Sequence, residues 1–280
     1  MRSRMSRLAS LPHRWGLMLA FAAIILNRPA GAGGIEEFAV NRERLGANTV
    51  LVYRKTNIGF TEQMALITLY IDAEGNLHAL KRFRGSEKPL LVEADFDWRI
   101  FSVAHFRAWP LPRGRAEPPN AVGDYDPITK LFHIAFHGGS KVIRVSGVPF
   151  HVHDFELMSL GQSMRQLKSL ESSFTFDLIG MSDNPNEPIF YKDSGNVTVR
   201  YDRDTVCPQG SRVAEYTMVY SANGKYFGRL QLDRQTRDMV LAETPGPDEP
   251  DLISMRMQLV SHSSATADDW KRIVAGAADP

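Results

Sequence analysis

Histidine is the residue type in this chain best placed to do chemistry. His133 and His137 stand four apart in Leu131-Phe-His-Ile-Ala-Phe-His137, and His151 and His153 stand two apart, with Asp154 next. On a strand, residues two or four apart share a face. Neutral imidazoles beside a carboxylate are the donors that zinc, copper and nickel prefer. Convergence of His133, His137, His151 and His153 on one ion, with Asp154 behind it as base or orienting group, describes a metal-dependent hydrolase. The spacing leaves open whether the two strands are neighbours, and histidines on the polar face of antiparallel strands otherwise meet only solvent.

Two carboxylate pairs follow, Asp95 with Asp97 and Asp202 with Asp204. Such pairs suit general acid–base work when they line a cleft, but Asp202 and Asp204 are expected to close a strand and satisfy turn backbone. Cys207, the sole cysteine, precludes an internal disulfide and reads as a small buried apolar residue. The chain has no glycine-rich phosphate loop, no Cys-x-x-Cys, no His-Glu-x-x-His and no Gly-x-Ser-x-Gly. No cofactor is implied, and the balance leans away from an enzyme.

The elements that must position these residues are mostly strands. Thr49–Tyr53 and Met64–Ile71 are rich in β-branched and aromatic residues, and Leu77–Phe83 continues the alternation after Asp72-Ala-Glu-Gly-Asn76. Leu131–His137 with Lys141–Val145, Ile189–Tyr191 with Val197–Tyr201, and Val213–Tyr220 with Tyr226–Leu232 read as further hairpins, and Ser254–Val260 as a last strand. Residues 95–108 fit either strand or helix. Two helices are expected. One covers about 157–170 with Leu160, Met164, Leu167 and Leu170 on one stripe, and a short C-terminal one starts at the capping sequence Thr266-Ala-Asp-Asp269. The fold class is mainly β: a curved antiparallel sheet or incomplete barrel with one packed helix, lying on its concave side or plugging it, and a short C-terminal helix.

Residues 1–32 read as an export signal: a basic start, eleven apolar residues from Gly16 to Leu26, then Ala30-Gly-Ala32. Eleven residues of helix reach only about 16 Å, half a bilayer core, so cleavage after Ala32 and a periplasmic location are expected, with no membrane span left in the mature chain. Removing this segment takes away five arginines and no acid, leaving 28 basic and 32 acidic residues, a net charge of −4. That sign argues against a nucleic-acid binder, which needs a basic face. Residues 33–280 form one β-rich domain, or two halves (about 33–108 and 121–280) joined by the proline-rich segment 109–120.

From His153 onward the motifs His153-Asp-Phe-Glu-Leu157, Phe174-Thr-Phe176, Val197-Thr-Val-Arg-Tyr201, Cys207-Pro-Gln-Gly210, Glu215-Tyr216, Leu232-Asp233 and Pro247-Asp-Glu-Pro250 stand in a characteristic order. Over residues 150–262 the chain resembles uncharacterised proteobacterial periplasmic proteins of unknown function. The resemblance implies a fold similar to the half-barrel of the lipoprotein-localisation carriers, and it carries over no catalytic residue. The first functional reading is an exported binding protein that holds a lipid or other apolar molecule in the concave face. Helix 157–170 then acts as a lid, and Leu160, Met164 and Leu167 touch the ligand. The metal-dependent hydrolase and a structural or assembly factor of the cell envelope stand as alternatives.

Overall fold

A computed structural model describes residues 34–112, 118–136, 139–152, 157–181, 191–207, 210–245 and 253–278. The expected export signal and its cleavage point lie outside the described residues, as do His137, His153 and Asp154. The chain is mainly β. Its first eight strands are β1 (Thr49–Thr56), β2 (Ala65–Ile71), β3 (Leu77–Phe83), β4 (Leu90–Asp97), β5 (Ser102–Pro110), β6 (Ala121–Asp126), β7 (Leu131–Phe136) and β8 (Gly139–Arg144). Then come β9 (Phe150–Val152), helix α1 (Met158–Met164), β10 (Phe174–Met181), β11 (Tyr191–Val206), β12 (Arg212–Tyr220), β13 (Tyr226–Asp233), β14 (Met239–Thr244), β15 (Met255–Ser264) and helix α2 (Ala267–Ala278).

All fifteen strands belong to one sheet, in the order β8-β7-β6-β5-β4-β3-β2-β1-β15-β14-β13-β12-β11-β10-β9. Every neighbouring pair is antiparallel except β9 with β10. The two edge strands, β8 and β9, are consecutive in the chain and joined only by residues 145–149. A flat sheet of this size would be about 65 Å wide, whereas that link spans at most about 20 Å. The sheet must therefore roll up. It rolls past itself: Phe150 of β9 donates its N–H to Ser102 Oγ at the foot of β5, inside the roll. On the other side, Ser146 reaches from the end of β8 to Asp177 of β10 and Asn196 of β11. The result is an incomplete barrel whose edges overlap without pairing.

Period-two alternation sorts the side chains. Leu51 and Tyr53 of β1 enter the interior core, to which every strand contributes. Val50, Tyr70, Leu80 and Leu91 face outward and are covered by Trp270 and Ala277 of α2. Strands β1 to β4 are thus buried on both faces, which is why Met64–Ile71 reads as an almost unbroken apolar run.

Three expectations change. Residues 95–108 are neither one strand nor a helix but β4 and β5 around a turn. Residues 191–206 form one continuous strand instead of a hairpin arm, with a bulge where Gly195 takes φ +78° and donates its N–H to Asp193 Oδ1 at 2.8 Å. Asp202 and Asp204 consequently lie within β11, not at its end, and accept hydrogen bonds from Thr217 and from Tyr201, Arg212 and Arg234. Across the proline-rich segment the sheet runs without a break, since β5 and β6 pair directly with His105 opposite Asp124.

Candidate functional site: the plugged concave face

Helix α1 occupies the interior of the roll, with all seven residues buried. It is shorter than the expected 157–170. After Met164 the backbone turns to pair with the N-terminal segment: Ala39 N–H donates to Gln166 O, Lys168 N–H to Glu37 O, and Leu167 bridges Phe38. Leu160, Met164 and Leu167 are exposed by only 2, 0 and 0 %. The structure places them in the middle of the core, so the helix is an interior plug and not a surface lid.

A helix buried on all sides must have its polar groups satisfied individually. Gln162 Nε2 donates to Leu45 O at 2.8 Å, and Ser163 Oγ to Phe101 O at 2.7 Å. Past the helix end, Arg237 donates to Leu167 O at 2.7 Å, Arg44 to the same oxygen at 3.1 Å, and Tyr216 OH to Leu170 O at 2.6 Å. These carbonyls belong to the segment that follows the helix, and the three donors fasten it to the wall. The plug is thus clamped to the wall by side chains from the 3-10 turn at Arg42–Arg44, β12 and the β13–β14 turn.

One further clamp is ionic. The Arg165 guanidinium pairs with Asp238, and its Nε donates to Arg44 O at 3.0 Å. The second Asp238 oxygen accepts from His262 Nδ1 on β15 at 2.6 Å. Both members of the ion pair are shielded from water, while His262 is half open to it. Tyr53 lies alongside; burial, then the Asp238 charge, raise its pKa against the opposing effect of Arg165, so it stays a neutral phenol. The sequence reading missed this constellation, because Arg165, Asp238 and His262 are remote in the chain and follow no spacing rule. Lys55 of β1 and Lys81 of β3 are also buried.

The expected metal ligands fare differently. His151 lies in β9, almost fully buried, where Nε2 accepts the Leu157 N–H at 3.1 Å and Nδ1 meets Ser159 Oγ. Both ring nitrogens are therefore used in holding the start of α1, whose N-cap Leu157 has φ +66° and no side-chain cap of its own. His133 is exposed on the outer face of β7, opposite Asp124, which His105 Nδ1 contacts at 2.8 Å. The structure does not bring His133 and His151 together. Among the described residues, no group of three or more His, Cys, Asp or Glu side chains converges on a metal position.

No family model matches the chain, and no curated protein matches it. Among solved structures, the chain is similar to a β-barrel-like protein of domain of unknown function DUF1849 from Brucella abortus. The identity is 12 %, the TM-score 0.41, and the match covers 78 % of this chain and 97 % of that one. Among the described residues, no helix is long and apolar enough to cross a membrane.

Proposed function

We propose that this chain is an exported, non-enzymatic protein that holds a lipid or other apolar molecule against the concave face of its rolled sheet, beside α1. The observation that supports this reading is the continuity of the apolar lining, to which all fifteen strands contribute. Eight strands close around a space that side chains alone fill, and larger rolls enclose more. Here α1 and β9 take up part of the extra space. Leu160, Met164 and Leu167 are the side chains a ligand beside the plug would touch. The basic leader, short apolar run and Ala30-Gly-Ala32 support export to the periplasm.

A second reading is favoured by a specific observation. The lining is almost wholly shielded from solvent, with Ile67, Leu77, Phe132 and Val197 at 0 % exposure. An interior already filled points to a structural or assembly factor of the cell envelope whose outer surface is the working part. Native mass spectrometry of protein expressed with its own leader and purified from the periplasm separates the two. An added mass of several hundred daltons, lost on denaturation, supports the binding protein; a bare mass sinks it and leaves the second reading. The bare mass also tests cleavage after Ala32.

A further inference from the structure

Asp177 of β10 is buried beneath the link that joins the two edges of the sheet, with 2 % of its surface exposed. Its Oδ2 accepts the Ser146 N–H at 2.6 Å, while Oδ1 is buried with no hydrogen-bond partner. No basic side chain among the described residues is paired with it. Burial, and to a smaller extent the neighbouring Asp193 charge, raise its pKa against the hydrogen bonds from Ser146 and the Gly147 N–H. A carboxylate taken out of water without a counter-charge is costly.

Beside the backbone N–H groups of Ser146 and Gly147, side-chain oxygens stand near it. Asn196 stands directly opposite Asp177 in register, and Ser146 Oγ lies 3.4 Å from Asn196 Oδ1. At the Gly195 bulge, the step from Asp193 to Asn196 faces the shorter step from Asp177 to Ile179, so Asp193 and Asn196 share a side that regular alternation would split. Asp193 and Asn196 are exposed, which leaves a way in from solvent. Carboxylate and neutral oxygens in this combination are the donors a hard divalent cation takes, whereas zinc, copper and nickel sites usually include nitrogen or sulfur.

We propose that Asp177, Asp193, Asn196 and Ser146 form a binding site for a divalent cation of the calcium type at the overlap of the two sheet edges. The ion supplies the missing counter-charge for Asp177 and ties the end of β8 to β10 and β11. Ca2+ itself is the probe. Protein freed of metal with EDTA is titrated with CaCl2 by isothermal calorimetry, and its melting is followed in parallel. One Ca2+ per chain is expected, with Tm rising by about 3–6 °C at a concentration tenfold above the Kd. Asp177→Asn and Asp193→Asn should each weaken binding by at least about tenfold, a loss of about 1.4 kcal/mol. Absence of binding to the native chain, or unchanged affinity in Asp177→Asn, overturns the proposal. Should Asp177→Asn fail to fold, Asp193→Asn, at an exposed position, decides on its own: unchanged affinity overturns the site.

Discussion

Arg165 and Asp238 form an ion pair inside the rolled sheet, the arginine just past the last turn of α1 and the aspartate at the foot of β14. Removing one partner leaves the other charge buried without its match, which costs about 3–5 kcal/mol. Asp238→Ala should lower stability to urea by that amount. The double replacement Arg165→Met with Asp238→Leu should cost less than the single change. Equal losses would show that the pair does not act as a unit.

Gly123 of β6 leaves room for two rings. A Cβ built there would lie 2.2 Å from a Phe106 ring carbon and 2.8 Å from one of Phe132, and those rings stack with centroids 6.1 Å apart. Gly123→Ala therefore overpacks the core and should destabilise by about 1–3 kcal/mol, with an altered near-UV spectrum. A neutral result would mean that the rings shift without penalty.

Asp72 sets an acid limit. Burial opposes its ionisation, but hydrogen bonds from His78 and from the Asn76 backbone and side chain outweigh it and hold the pKa at about 2, below the ordinary 3.8. A depressed carboxylate contributes stability that is complete above its unfolded pKa and lost as pH falls through the folded one. Stability should thus decline between about pH 4 and 2, and Asp72→Asn should flatten that part of the profile. An identical profile in the variant would remove Asp72 from the account.

Helix α2 is docked on the outside of β1 to β4 by Trp270, whose ring stacks on Tyr70 at 5.5 Å. Its start is closed by the reciprocal Thr266–Asp269 bonds anticipated from the sequence. Trp270→Ala should release this helix, at a cost of about 3 kcal/mol, and let its backbone unwind so that trypsin cleaves after the already exposed Lys271 and Arg272. Unchanged proteolysis would show that the helix is held by other contacts.

The strands and the β character were legible because alternation, β-branching and turn residues are local signals. Leu131–Phe136, Val213–Tyr220 and Tyr226–Leu232 fell where those signals place them. The shape of the roll was not legible, since it follows from which edges the link 145–149 joins, a property of strand order. The bulge at Gly195 carries the same local signal as a hairpin turn, because Asp-Ser-Gly-Asn writes both. The apolar stripe Leu160, Met164, Leu167 and Leu170 did mark buried residues, but it could not show that Gln162 and Ser163 were buried as well. His262 carried no signal at all, since its importance arises from being brought, by the pairing of Leu51 with His262, to the wall beside Asp238.

The pairing of β1 with β15 also sets an order of events. Strands β1 to β8 form a meander in which each pairs with the one before it, so this half can zip together as the chain is made. Its inner edge, β1, then waits with open backbone groups until residues 255–264 have followed some two hundred positions later. The last strand made is the keystone of the arch. Until it is set, the growing protein carries an unpaired and apolar edge, the kind of surface on which other chains can pair.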